Sequence, residues 1–255
     1  MKITLTGLVI PWLLLSNSSV NAADPNIPDH EWSANIGLTS DYLFRGMSRS
    51  SEDPAIQGGI DYKNVLYGFR AGMWASSIEF DSRASNDSSV EIDLYGGYFG
   101  RFSSDVTWDI VGVYQLFPDQ NVDFRSGDFE YFEIDGELAY TFTNHLYVPT
   151  VSANIAYSPE YFGEDDDSIY LSTGIDFKLP EKFGFYSRVG YLDVSGGETN
   201  PRGYDYAHYQ IGLTKTLGIV TLDLSWNDAE NGCEQVSMSG KDYCQAAVFS
   251  VLSFW

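Results

Sequence analysis

The sequence predicts an all-β fold, a transmembrane antiparallel up-and-down β-barrel of about 12 strands. Three observations predict it. Apolar and polar residues alternate with a period of two through segment after segment, the connections between segments are alternately short and long, and no stretch beyond the N-terminal leader is apolar for long enough to form a spanning helix.

The leader comes first along the chain. Lys2 precedes the apolar run Ile3 to Leu15, and Ser18-Ser19-Val20-Asn21-Ala22 places small residues where a signal peptidase reads them. A secretory signal peptide over 1–22 is expected, since the run is too short for a membrane span and Pro11 interrupts it. A short segment, 23–31, then leads into the barrel at 32–255, with no plug domain expected ahead of the first strand.

From Trp32 the even positions read Trp32, Ala34, Ile36, Leu38, Ser40, Tyr42 and Phe44, against Ser33, Asn35, Gly37, Thr39, Asp41, Leu43 and Arg45. One face is mostly apolar and the other mostly polar. The same alternation sets Ile56, Ile60 and Tyr62 against Gln57, Asp61 and Lys63, then Val90, Ile92 and Leu94 against Glu91 and Asp93. It returns as Phe132, Ile134 and Leu138 against Glu133, Asp135 and Glu137, and as Ile169, Leu171 and Ile175 against Tyr170, Ser172 and Asp176. Strands are expected near 32–44, 55–63, 66–77, 90–102, 106–117, 130–142, 146–157, 168–179, 183–194, 204–215, 219–227 and 246–255. Their lengths suit tilted strands that cross a bilayer, which need about 9–11 residues.

The connections at 63–65, 102–105, 143–145, 180–182 and 216–218 are short. Those at 45–54, 78–89, 118–129, 158–167, 195–203 and 228–245 are longer, polar and rich in acids. That rhythm fits short periplasmic turns and long external loops, with both chain ends on the periplasmic side. Aromatic residues gather at strand ends, at Trp32, Tyr42, Phe44, Tyr62, Tyr67, Phe102, Trp108, Phe142, Tyr147, Phe177 and Phe183, where interfacial girdles are expected. The last strand ends on Phe254-Trp255, resembling the C-terminal signal read by outer-membrane insertion machinery.

Composition narrows the function classes. The formal charge of −22 disfavours nucleic acid and anionic surfaces as partners and favours cations. The two cysteines, Cys233 and Cys244, are expected to form one disulfide that pins a loop, as befits an exported protein. Neither belongs to a C-x-x-C pair and His30, His145 and His208 are scattered, so no metal site or cofactor is expected. The acidic run Glu164-Asp165-Asp166-Asp167 lacks the spaced ligands and glycine of a calcium loop and reads as a solvated loop tip. No enzyme is expected either: His208, between Tyr206 and Gln210, has no nucleophile motif beside it.

Four stretches carry a family resemblance: Ser40-Asp41-Tyr42-Leu43-Phe44-Arg45-Gly46-Met47-Ser48, the run from Pro54 to Tyr62, Ala71 to Ser76, and Glu91 to Tyr98. Over roughly residues 32–100, and more diffusely to Trp255, the chain resembles the TorF-family porins, a proteobacterial outer-membrane family of unknown function. The resemblance implies an outer-membrane porin of a Gram-negative bacterium. It carries no catalytic residue or substrate onto this chain.

The strand phase places Asp41, Asp61, Glu91, Asp93, Asp109, Glu133, Asp135, Glu137, Asp176 and Asp223 on the lumen face, with Lys63, Arg70, Arg101, Lys178 and Arg188. Arg45 follows near the outer rim, while Tyr42 and Phe44 are expected to point to lipid. Some charges should pair across strands, Arg70 with Asp61 or Glu91 and Arg188 with Asp176, because an unpaired buried charge is costly. Acids exceed bases about two to one, and the surplus favours cations in a narrow wet lumen. The expected function is a porin-like channel for passive diffusion of small polar solutes, cationic or neutral. The expected partners are outer-membrane lipids, lipopolysaccharide and the insertion machinery. The alternative is a closed barrel whose loops serve adhesion, reception or envelope structure.

Overall fold

The computed structural model describes residues 29–79, 88–118, 129–162, 166–196, 203–230 and 246–255. The expected signal peptide, the cysteines Cys233 and Cys244 with their expected disulfide, and Glu164 and Asp165 of the acidic run lie outside the described residues.

The strands are β1 (His30–Thr39), β2 (Leu43–Phe44), β3 (Met47–Ser48), β4 (Ala55–Asn64), β5 (Phe69–Ser77), β6 (Val90–Arg101) and β7 (Val106–Leu116). They continue as β8 (Tyr131–Thr141), β9 (Thr150–Ser158), β10 (Ser168–Lys178), β11 (Phe183–Val194), β12 (Tyr204–Leu217), β13 (Val220–Glu230) and β14 (Ala246–Phe254). All except β2 and β3 join one closed antiparallel barrel in chain order, sealed where β1 meets β14. The seal runs from Asn35 opposite Phe254 to Thr39 opposite Ser250, and β1 pairs along its whole length with β4 on its other side.

The period-two pattern makes this wall two-faced. Ile36 and Leu38 on β1, Ile134 and Leu138 on β8, Ile155 on β9, and Ile169 and Leu171 on β10 are exposed on the outside, forming an apolar band that a hydrocarbon phase would cover. Their polar neighbours in sequence turn inward and are largely buried, among them Glu91, Asp93, Asp109 and Glu133. Closure leaves no long unpaired sheet edge, which suits a wall that meets no water to satisfy its backbone.

One expected strand ends early. β1 stops at Thr39, whose Oγ1 donates to the Asp41 carbonyl at 2.7 Å, and the chain turns into the barrel instead of continuing to residue 44. Tyr42 and Phe44 therefore do not face lipid: they are 1% and 8% exposed, inside the lumen. The inward segment carries the hairpin β2–β3, with Phe44 opposite Met47. Its two central residues, Arg45 at φ 51° and Gly46 at φ 83°, both take the left-handed conformation that a two-residue hairpin turn favours. Gly46 is also held by contact: a Cβ there would come 2.6 Å from the Cβ of His208 on β12 and 3.3 Å from that of Ala229 on β13.

A smaller departure lies between β8 and β9. The strand expected from 146 begins at Thr150, because residues 142–149 form a longer connection in which the His145 N–H donates to the Phe142 carbonyl at 3.1 Å and Tyr147 and Val148 both have positive φ.

The apolar band makes a direct prediction. Ile155→Arg should cost about 2–4 kcal/mol of folding free energy in lipid vesicles. On the same strand the inward Ser152→Ala should stay within about 0.5 kcal/mol. Urea unfolding of the vesicle-folded protein measures both, and equal costs would contradict the assignment of the two faces.

Candidate functional site

Inside the barrel the inward segment and the strand walls are joined by charge. Arg45 Nη2 donates to Glu133 Oε1 on β8 at 2.6 Å, and the Arg45 side chain is 1% exposed. Arg45 was expected on the lumen face near the outer rim; it lies at the long-connection end of the lumen, folded inward by the hairpin against Glu133 near the start of β8. Arg49 Nη1 lies 2.5 Å from Glu91 Oε1 on β6 and donates to Gln115 Oε1 on β7 at 2.9 Å. The Tyr42 hydroxyl donates to the same Glu91 oxygen at 2.9 Å.

Aromatic faces enclose both guanidinium groups. The Arg45 guanidinium carbon sits 4.3 Å from the ring centre of Tyr170 and 4.8 Å from that of Phe44, while that of Arg49 lies 3.7 Å from Phe44 and 5.2 Å from Phe162. Around them pack Phe117, Tyr131, Tyr161 and Tyr206, all buried. Because these residues come from the strand ends next to the long connections, a core-like layer lies across that end of the lumen. Cation–π attraction strengthens where water is excluded, so the layer suits charged groups that a bare apolar core would reject.

Asp41 anchors the start of the segment. Its Oδ1 accepts from the Ser48 hydroxyl at 2.6 Å and from the Ser50 hydroxyl at 2.9 Å. Burial pushes the Asp41 carboxyl above its ordinary range, and the two serine hydroxyls pull it back.

Toward the short-turn end the charges pair between strands. Arg188 Nη2 reaches both oxygens of Asp176, at 2.7 and 2.8 Å, the pair expected from the sequence. Arg70 departs from expectation: it binds Asp109 Oδ2 on β7 at 2.9 Å, and neither Asp61 nor Glu91. In register it faces Gly97 on the intervening β6, which has no side chain to block it, so the guanidinium passes over to the next strand. Asp61 instead accepts from the Tyr95 hydroxyl at 2.5 Å, and Asp135 accepts from the Asn154 amide at 2.6 Å.

Glu137 faces Asp109 and Asn154 in register, and Asp93 is buried opposite Gln115 and Trp74. Asp223 accepts from the Tyr186 hydroxyl, and His208 Nε2 lies 2.8 Å from the Tyr170 hydroxyl. Most of the expected lumen acids thus share one interior but divide into separate partnerships. The sequence reading missed Arg49, Gln115 and Tyr131. Arg49 sits in a stretch assigned to an external loop, although an arginine beside Tyr42, Leu43 and Phe44 in an acid-rich chain is itself a signal for an inward turn.

Comparison with known proteins follows this geometry. Residues 22–253 match the family described as bacterial protein of unknown function (Gcw_chp), a family-level match under another name than the TorF family that the sequence resembles. No curated protein matches the chain. Among solved structures, the NanC porin superposes with a TM-score of 0.56 at 10% identity, over 88% of this chain and 100% of that one. The KdgM porin gives a TM-score of 0.53 at 9% identity, over 88% and 98%. An outer membrane channel from Pseudomonas putida F1 gives 0.51 at 9% identity, over 91% and 99%. At these identities the likeness concerns the fold.

The Arg45–Glu133 pair is testable by a double-mutant cycle. Arg45→Ala leaves the Glu133 carboxylate buried and should cost about 3–5 kcal/mol, whereas Arg45→Ala combined with Glu133→Gln should recover much of that loss. Denaturant melts of the four proteins decide it. Strictly additive losses would mean that the two side chains do not act as a pair.

Proposed function

The chain belongs to the bacterial Gcw_chp family, and we propose that it is an outer-membrane channel of a Gram-negative bacterium for the passive diffusion of small polar solutes, cationic or neutral. The observation that carries this reading is the wall itself: a closed barrel with an apolar outside and an inside lined by carboxylates, amides and hydroxyls. Such an inversion of polarity suits a protein with lipid outside and solute inside. The shared fold of two porins and an outer membrane channel supports it.

The direction of selectivity follows from charge. Cationic side chains of the lumen such as Arg45, Arg49, Arg70 and Arg188 are engaged with carboxylates, while the wall carries further acids, Asp93 and Asp135 among them. A surplus of carboxylate in a narrow lumen attracts cations and repels anions. The outer-membrane lipids and lipopolysaccharide would then be its surroundings and the strand ending at Trp255 its insertion signal.

A second reading has its own observation. The inward segment with its buried aromatic layer fills much of one end of the barrel, which suits a closed barrel whose work is done by its long connections.

Single-channel recording of the refolded protein in a planar bilayer, under a salt gradient, separates the two. Discrete steps with potassium favoured over chloride are expected. Chloride preference would contradict the charge argument, and a correctly folded but silent barrel would favour the closed reading.

A further inference from the structure

We infer that the lumen holds a binding site for one small monovalent cation, sodium or potassium, in a cavity between the start of the inward segment and the wall. The site goes beyond the channel reading and does not depend on whether the barrel conducts. Asp41, Tyr42 and Leu43 line the cavity on the side of the segment. Gln210 on β12, Asp223 and Asn227 on β13 and Ser250 on β14 line it on the side of the wall. Its volume of about 30 Å³ suits a single water-sized occupant, and a dehydrated alkali cation is of that order.

The charge around this cavity is out of balance. Asp41 and Asp223 are 6% and 2% exposed, and no lysine or arginine is among the described lining residues. The arginines of the inward segment are committed elsewhere, Arg45 to Glu133 and Arg49 to Glu91. Asp223 has the Tyr186 hydroxyl, which lies 3.2 and 3.0 Å from its two oxygens. Asp41 Oδ1 takes the hydroxyls of Ser48 and Ser50, but Oδ2 is buried with no hydrogen-bond partner among the described residues. Neutral donors temper a buried carboxylate without cancelling its charge, so two such groups beside one cavity require a counter-ion.

The neutral lining is rich in oxygen. Ser250 Oγ donates to Thr39 Oγ1 at 2.9 Å and Thr39 Oγ1 to the Asp41 carbonyl at 2.7 Å, so both hydroxyl protons are used and lone pairs are left. Gln210 gives an amide N–H to Asn227 Oδ1 at 2.6 Å, Asn227 gives one to Ser225 Oγ at 3.0 Å, and Gln57 gives one to Ser76 Oγ at 3.3 Å. Carbonyl and hydroxyl oxygens of this kind replace the hydration shell of an alkali cation.

Among the described residues no group of three His, Cys, Asp or Glu side chains is arranged to hold a metal ion. Calcium draws on a larger set of carboxylates and zinc on imidazole or thiolate, so the chemistry fits an ion of single charge. Bound there, the ion joins Asp41, at the root of the inward segment, to Asp223 on β13. The arginine pairs, which tie the segment to β8 and β6, do not supply that link.

Melting of the full mature chain, folded in zwitterionic detergent micelles at about pH 8 where ordinary carboxyls are ionised, tests the site. The media are the chlorides of sodium, potassium and N-methyl-D-glucamine at one ionic strength, each with EDTA to remove divalent ions. N-methyl-D-glucamine is too large for the cavity. Sodium or potassium should therefore raise the melting temperature by about 2–4 °C over it, and by more as the concentration rises. Asp41→Asn and, separately, Asp223→Asn should each remove most of that difference, whereas Asp193→Asn on the exposed outward face of β11 should leave it in place. The two Asn variants act from opposite sides of the cavity, so either one alone suffices.

Equal melting of the wild-type barrel in all three salts overturns the inference: the cavity then holds water, or its carboxyls hold protons. A salt effect that survives the Asn substitutions overturns it as well, since the effect then arises at the surface. Neither result bears on the channel reading, which stands or falls with the bilayer recordings.

Discussion

A sheet whose outward face is apolar, set in lipid as proposed, has no water against its backbone, so every N–H and C=O must find its partner within the sheet. That constraint closes the barrel. It brings Thr39 opposite Ser250, joining the two ends of the chain, and it leaves an interior wide enough to need filling. Polar side chains fill part of that space. Part of the rest is taken by chain, the segment that leaves β1 at Thr39 and returns at Ala55 as the start of β4.

Why that segment turns inward follows from the charge it carries. Strand alternation commits Glu91 and Asp93 on β6, and Glu133 and Asp135 on β8, to the interior, where burial penalises a carboxylate. The wall residues nearest them are themselves acids or neutral groups. Arg45 and Arg49 supply the counter-charge from outside the strand pattern, and the tyrosines and phenylalanines around them exclude water without opposing a guanidinium. The left-handed pair Arg45-Gly46 makes the reversal tight enough for the tip to rest on β12 and β13. Glycines on the strands play a complementary part: a Cβ at Gly174 would fall on the Arg188 side chain, and one at Gly212 on the Tyr186 ring, so large lumen side chains lie across positions that have none.

Much of the wall is legible in the sequence, because a period of two assigns a face to every residue of a strand at once. The strands expected near 90–102, 130–142 and 183–194 are β6, β8 and β11 to within a residue or so. The lumen position of Glu91, Asp109 and Glu133 was legible for the same reason. The pattern misleads where it runs on past the end of a strand: Tyr42 and Phe44 keep the phase of Ile36 and Leu38 although the backbone has already turned, so two core residues read as lipid-facing. Partners are less legible than faces. A side chain as long as arginine can skip a glycine strand, as Arg70 does to reach Asp109, and sequence spacing holds no record of that reach. The Arg188–Asp176 pair, on adjacent strands, needed no such step and was foreseeable.

The depth of the arginine contacts has a consequence for how the interior responds to ionic strength. Mobile ions screen charges that they can surround, over about 8 Å at physiological salt, and a side chain that is 1% exposed is out of their reach. The inward segment is thus fastened by attractions that dissolved electrolyte barely weakens, and its position should hold from fresh water to brine. The field that the remaining wet carboxylates cast into the open part of the lumen has no such protection. If the barrel conducts as proposed, it keeps its shape across a range of salinity while its discrimination between ions of opposite sign fades as the medium becomes more concentrated.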